Sequence, residues 1–241
     1  MKIFVVSLKT AKARRASVEQ QFASSGLDWQ FFDAVVGKDL PSFPEGYDRK
    51  SRLRKFGYDM TPGEIGCFLS HQGLWREALK IGEPIFVLED DFRLECPPGE
   101  LKRLIESLSN ESECSLIRFA AVFDKPNKKY RDHGQHELVV YKSDPAGTAA
   151  YLIYPGAAKA LLNSSKLFHV AVDDFMAREF EHQVIFYGLT PYPITTLEVE
   201  STISGREKKK KTVYGKIKRE IFRIPDALSK AVYLNAYRRC K

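Results

Sequence analysis

The sequence lacks paired cysteines. Its four, Cys67, Cys96, Cys114 and Cys240, are scattered, and none forms a C-x-x-C pair. That argues against a zinc knuckle or a dithiol redox motif. No apolar stretch approaches the roughly 20 residues of a membrane span. The apolar run after Met1 is only about six residues long and has no small-residue cleavage site, so it does not read as a signal peptide. These absences predict a chain that starts in the cytosol with reduced thiols. After the first predicted strand the sequence reads Ser7-Leu8-Lys9-Thr10, without G-x-G-x-x-G, which disfavours a nicotinamide enzyme. There is no internal repeat and no recognisable nucleic-acid module, so no nucleic-acid partner is expected.

What is present reads as an ordinary globular chain. With 241 residues, 44% hydrophobic and 29% charged, it is one large domain or one domain with an appendage. A chain of this length buries roughly 70–75% of its unfolded surface and needs no disulfide staples. The net charge of +7 is uneven: residues 205–241 hold 13 basic and 3 acidic residues. The remaining body is near neutral. We divide the chain into a catalytic-type body, 1–204, and a basic tail, 205–241.

Lys2 to Leu8 reads as a buried parallel strand, Thr10 to Ser25 as a helix ending at Gly26, and Trp29 to Val36 as a second strand. Strand, helix, strand opens an α/β unit. Residues 37–59 show no period and read as a mobile loop. Thr61-Pro62-Gly63-Glu64 is a capping box. It starts a helix to Lys80, with Ile65, Phe68, Leu69, Trp75 and Leu79 on or near its apolar face. Pro84 to Leu88 is a third strand. Further expectations are helices at 99–108, 156–162 and 172–181. Strands are expected at 116–122, 138–141, 149–153 and 184–187, with a lysine-rich loop at 124–134. The fold class is α/β.

The third strand runs into Glu89-Asp90-Asp91. In open α/β sheets the carboxyl edge is where ligands bind. On an extended backbone Glu89 and Asp91 point to the same side. Two close carboxylates repel, and a divalent cation removes the repulsion; hard oxygen ligands suit Mg²⁺ or Mn²⁺. Such an ion can hold a diphosphate as it leaves. A solvated strand end explains the same three acids.

Other stretches accompany this one: Val6-Ser7-Leu8 with Arg14-Arg15, Phe31-Phe32-Asp33-Ala34, and Gly63-Glu64-Ile65-Gly66-Cys67 running into Ser70-His71 and Trp75. Then come Leu88-Glu89-Asp90-Asp91, Gly147-Thr148-Ala149-Ala150-Tyr151 and Val172-Asp173. Over roughly residues 1–180 the chain resembles glycosyltransferase family 25, the lipooligosaccharide galactosyltransferase family, whose relatives include collagen galactosyltransferases. The resemblance implies a GT-A type, Rossmann-like mixed sheet flanked by helices. It also implies inverting transfer to a sugar hydroxyl, UDP-galactose as donor, and Mn²⁺ on the acidic motif, with Asp91 and Glu89 as ligands. The tail and residues 37–59 depart from the family pattern.

Roles follow on that basis. Ser7 and Leu8 end the first strand, where a nucleotide would lie. Arg14 and Arg15 approach the diphosphate, Arg15 preferred because a guanidinium fork binds two oxygens. Asp33 accepts from ribose or uracil, or caps a turn. His71, seven residues after Glu64 on one helix face, touches donor or metal, or is a satisfied core histidine. Cys67 is expected to be a buried, inert thiol. Glu89 and Asp90 also face the donor. Gly147-Thr148 forms a turn beside the sugar. Inversion needs one general base; Asp173 is preferred and Asp174 held in reserve. Either aspartate also suits a helix cap, and Asp173 a metal ligand.

In the tail, Lys208 to Lys211 precede Ile217, Ile221, Phe222 and Ile224 set among Lys216, Lys218, Arg219 and Arg223. A basic amphipathic helical segment lies readily on an anionic membrane. The expectation is peripheral attachment to the cytoplasmic face of an inner membrane, beside a lipid-anchored glycan acceptor. Packing of the tail on the body is the plainer alternative. The rival functions are a metal-dependent hydrolase of nucleotide sugars or phosphoesters, and a non-catalytic carbohydrate-binding or adhesion module.

Overall fold

The apolar run at the N-terminus forms strand β1 (Lys2–Ser7) in the computed structural model, which describes residues 1–23, 25–109, 116–123, 125–141, 146–197, 228–229 and 231–233. Helix α1 (Lys12–Phe22) follows and buries Val18 and Phe22. Strand β2 (Trp29–Asp33) then lies parallel to β1, from Ile3 opposite Trp29 to Ser7 opposite Asp33. Gly26, at φ +64°, turns the chain between them, a conformation glycine adopts without a Cβ clash.

Residues 37–59 are not the loop expected. They contain a 3₁₀ turn (Gly37–Asp39) and helix α2 (Arg49–Phe56). The Asp48 side chain accepts from the Ser51 N–H at 2.9 Å, and Gly57 closes the helix at φ +80°. The residue α2 buries is Arg52, whose guanidinium donates to the carbonyls of Tyr58 and His169 and lies over the rings of Phe56 and Tyr58. A helix that turns an arginine inward leaves no apolar stripe to read.

Helix α3 (Pro62–Ile81) starts at the expected capping box. Thr61 Oγ1 accepts from the Glu64 N–H, Glu64 Oε2 accepts from the Thr61 N–H, and Gly82 ends the helix at φ +74°. Its first half is enclosed. Ser70 Oγ accepts from the Val35 N–H at 2.8 Å, and a Cβ on Gly66 would meet the Val35 carbonyl oxygen at 2.4 Å. Leu79, expected near the apolar face, is exposed, and Leu74 and Ala78 are buried instead. Enclosure of the first turns spreads burial around the helix and displaces a single stripe.

Strand β3 (Ile85–Glu89) leads through a turn into β4 (Phe92–Leu94), helix α4 (Pro98–Ser109), β5 (Leu116–Arg118), β6 (Asn127–His133) and β7 (His136–Tyr141). β6 occupies much of the expected lysine-rich loop. It is the exposed edge of the sheet, where lysines block pairing with another chain. β8 (Ala150–Ile153) and helix α5 (Pro155–Ser164) follow. The single helix expected at 172–181 is two, α6 (Val172–Met176) and α7 (Glu179–His182), because Arg178 leaves helical geometry at φ −101°, ψ 54°. β9 (Phe186–Thr190) and β10 (Ile194–Thr196) complete the body, β10 pairing antiparallel with β4.

The eight-stranded sheet has the order β2-β1-β3-β8-β5-β9-β7-β6. β2, β1 and β3 are mutually parallel, and β8 runs antiparallel to both β3 and β5. Alternate residues feed two cores. Phe4, Val6, Val87 and Tyr151 pack with α3 and α5 on one face; Ile3, Val5, Phe86 and Leu152 pack with α1 and α4 on the other. Burial on both faces explains the unbroken apolar runs. This is the mixed, helix-flanked α/β sheet expected. Among the described residues no helix is long and apolar enough to cross a membrane. The expectations for the tail fall almost wholly outside the described residues.

Candidate functional site

β1 is followed outward on one side by β2 and on the other by β3. The chain therefore reverses its direction of growth between β1 and β3, and a crevice opens beyond the carboxyl ends of the strands at such a switch point. Ser7, Asp33 and Glu89 are the last residues of β1, β2 and β3. β8 enters the same edge from the opposite direction, and the Glu89 N–H donates to Ala149 O at 2.8 Å. Thr148 is thereby carried beside Glu89 and donates its hydroxyl to Glu89 Oε1.

The three consecutive acids do not alternate across an extended strand. β3 ends at Glu89, and Asp90-Asp91 form a turn, so each carboxylate has its own surroundings. Asp90 accepts from Ser7 Oγ at 2.6 Å and from Arg14 Nη1 at 2.9 Å. Asp91 lies 3.7 Å from Arg14, and its Oδ1 is buried with no hydrogen-bond partner among the described residues. Burial, and then the neighbouring Glu89, push its carboxyl up to about 6. Burial acts in the same sense on Glu89, but the facing His71 imidazole and the Thr148 hydroxyl outweigh it and hold Glu89 below its ordinary value.

Arg15 is engaged with the protein. Nε donates to Leu8 O, Nη2 donates to Ser7 O and to Asp33 Oδ1 at 2.7 Å, and the guanidinium stacks on Phe31. It braces the end of β1 and presents Asp33, whose carboxyl it holds below the usual range. Asp33 remains half exposed at the crevice rim.

Helix α3 forms the opposite wall. His71 is buried; its Nδ1 is 2.8 Å from Tyr151 Oη, and that oxygen accepts from Trp75 Nε1. Its Nε2 is 3.7 Å from Glu89 Oε1 and has no hydrogen-bond partner among the described residues. Cys67 is not an isolated core thiol. Burial raises its pKa well above the ordinary value, and the charges that add to this are Glu89, Asp173, Asp91 and Glu64. Asp173, on α6, thus acts on Cys67 from the α3 side. Its Oδ1 accepts from the Asp174 N–H at 2.9 Å. Asp174 is more exposed, and desolvation, then Asp173, raise its carboxyl. Gly147 adopts φ +90° and its carbonyl accepts from the buried Arg118.

Ser7, Arg14, Glu89, Asp90, Asp91, His71 and Thr148 thus share one neighbourhood, with Leu8, Arg15 and Asp33 at its rim, while Asp173 acts on Cys67 from α6. Sequence reasoning gave no role to Arg118 or Tyr151, which are hidden within apolar strands. It also gave none to Glu64 beyond capping, although Glu64, Cys67 and His71 sit at helical spacings that share a face.

The acidic pocket fits a divalent cation. A buried, partnerless Asp91 oxygen and a carboxylate pair with one member pushed to about 6 are what a site short of positive charge looks like. Residues 1–176 match glycosyltransferase family 25 (LPS biosynthesis protein).

The chain belongs to glycosyltransferase family 25.

This family-25 chain is 31% identical over 183 residues to the lacto-N-neotetraose biosynthesis glycosyltransferase LgtE of Neisseria gonorrhoeae, covering 68% of this chain and 60% of that one. It is 28% identical over 225 residues to procollagen galactosyltransferase 1-A of Xenopus laevis, covering 82% of this chain and 34% of that one. The chain thus spans about a third of that animal relative. Among solved structures it is similar to a glycosyltransferase involved in glycosylation of the major capsid of PBCV-1. That likeness has 12% identity, a TM-score of 0.33, and coverage of 68% of this chain and 66% of that one. The family match takes in every site residue named above up to Asp174 and stops short of α7 and β9.

Proposed function

We propose that this chain transfers galactose from UDP-galactose to a hydroxyl of a lipooligosaccharide or lipopolysaccharide glycan, with inversion at the anomeric carbon. The observation that carries the reading is the buried Asp91 oxygen without a hydrogen-bond partner, beside Glu89 at the switch point of a family-25 chain. A relative named for lacto-N-neotetraose biosynthesis and another named a procollagen galactosyltransferase support the acceptor class and the sugar.

Asp91 and Glu89 would hold Mn²⁺ or Mg²⁺, which when bound neutralises the diphosphate of the leaving UDP. Asp33, kept ionised by Arg15, accepts hydrogen bonds from the ribose or uracil. Ser7 and Arg14 fix Asp90 and through it the turn that carries Asp91. Asp173 takes the proton of the acceptor hydroxyl as that oxygen attacks the anomeric carbon and the bond to UDP breaks. Gly147 and Thr148 shape the sugar side of the pocket. The 205–241 tail attaches the enzyme to an anionic cytoplasmic membrane face, close to a lipid-anchored acceptor; equal vesicle binding by a chain ending at Ser204 would remove that part of the reading.

The test is UDP release and calorimetric binding across a panel of UDP-sugars with Mn²⁺, with and without EDTA. Metal-dependent, acceptor-dependent turnover of UDP-galactose, abolished in Asp91→Ala, is the expected result. Turnover indifferent to acceptor would make the chain a hydrolase. No binding of any UDP-sugar by folded protein would point to another donor class or a non-catalytic carbohydrate module.

A further inference from the structure

The second wall of the pocket has a different chemistry from the first. Cys67 Sγ, a ring nitrogen of His71 and a carboxylate oxygen of Glu89 lie within 4.8 Å of one another. These are sulfur, nitrogen and oxygen donors, the mixed set that binds Zn²⁺ and its borderline neighbours, whereas Mg²⁺ and Mn²⁺ prefer oxygen alone.

His71 supplies an independent sign. It is 1% exposed, and its Nε2 faces Glu89 Oε1 across 3.7 Å without a hydrogen-bond partner. A direct hydrogen bond would bring the two atoms to roughly 2.7–3.2 Å. Two ligands each about 2.1 Å from a shared ion at a tetrahedral angle stand about 3.4 Å apart, close to what is observed. The supporting bonds are already in place. Tyr151 Oη, 2.8 Å from Nδ1, fixes the ring with Nε2 directed at the gap. Thr148 donates to Glu89 Oε1, the same oxygen that faces the ring, and so fixes its position. Outer-shell partners of this kind orient metal ligands. The charges acting on the Cys67 thiol are Glu89, Asp173, Asp91 and Glu64, which favour a cation there.

We propose that Cys67, His71 and Glu89 bind a borderline transition-metal ion of the Zn²⁺ or Co²⁺ class through sulfur, imidazole nitrogen and carboxylate oxygen. The site goes beyond the all-oxygen pair of Glu89 and Asp91, shares Glu89 with it, and exists without nucleotide or acceptor.

The test uses the full chain with Co²⁺ and no nucleotide. An intense near-ultraviolet sulfur-to-cobalt charge-transfer band is expected on titration, with its loss in Cys67→Ser and in His71→Ala, and its displacement by Zn²⁺. Should either variant fail to fold, the wild-type chain answers alone: Zn²⁺ should protect Cys67, and not Cys96, from iodoacetamide, read by peptide mass spectrometry. The absence of the band in folded protein, its persistence in Cys67→Ser, or alkylation of Cys67 unchanged by Zn²⁺ would overturn the proposal. None of these outcomes bears on turnover of UDP-galactose, so failure here and failure of the transfer reading are separate results.

Discussion

The Ser7 hydroxyl donates to Asp90 Oδ2 at 2.6 Å, joining the carboxyl ends of β1 and β3 across the switch point. The other Asp90 oxygen accepts from Arg14 at 2.9 Å. Both carboxylate oxygens are therefore held by protein donors, and Asp90 acts by positioning. Asp90→Asn should lower stability by about 1–3 kcal/mol, the range for a hydrogen bond to a charged group and the partner it orphans. In a double-mutant cycle with Ser7→Ala the two effects should fall short of additive by about 0.5 kcal/mol or more. Urea denaturation of the four proteins measures this, and simple additivity would show that the bond contributes nothing.

Asp91 gives a pH dependence with a definite sign. Its carboxyl stands at about 6 when folded, against 3.8 for the free group. Between those values the folded chain holds a proton that the unfolded chain releases, so this group's contribution to stability falls as pH rises from about 4 to about 6 and stays low above. In chelator, Asp91→Asn should therefore raise the melting temperature clearly at about pH 7.5 and little at about pH 4.5. A variant no more stable than wild type at the higher pH would contradict it.

Much of this neighbourhood was legible in the sequence, and its gaps have physical causes. Thr61-Pro62-Gly63-Glu64 announces α3 because capping is local chemistry. The run Ile85 to Leu88 announces β3 because both of its faces are buried. α2 was hidden because it buries Arg52 where a leucine would have shown the period. β6 was hidden because an edge strand needs no apolar face. The place of Glu89 at a strand end follows from the apolar run before it, whereas the separate surroundings of Asp90 and Asp91 come from a turn that spacing alone does not reveal. The convergence of Cys67 and His71 on Glu89 needs the register of β3 against α3, which is tertiary information.

Asp173→Asn should reduce kcat by about 10²- to 10⁴-fold, the usual contribution of a general base, and leave donor binding by calorimetry close to wild type. Asp174→Asn should have a much smaller effect. The reverse ranking would move the base to Asp174, whose carboxyl is the one raised by desolvation and by its neighbour.

Gly66→Ala tests the seating of α3. The added Cβ would lie 2.4 Å from the Val35 carbonyl oxygen and 2.8 Å from the Gly37 nitrogen, and backbone cannot swing aside as a side chain does. A loss of about 1–3 kcal/mol is expected from overpacking, with weaker Co²⁺ binding, since the same helix carries Cys67 and His71. An unchanged melting temperature would mean that the close approach is relaxed in solution.

The antiparallel entry of β8 has a consequence for how this chain can change in length. Leu88 faces Ala150 in register, and Thr148 reaches Glu89 only because of that pairing. Side chains alternate with period two, so one residue inserted between Thr148 and Tyr151 would turn the whole entering segment over. Either the hydroxyl would leave Glu89, or Tyr151 would leave His71 for the opposite core, according to which side kept its register. Beyond Thr148, a single extra residue dismantles the pocket from behind.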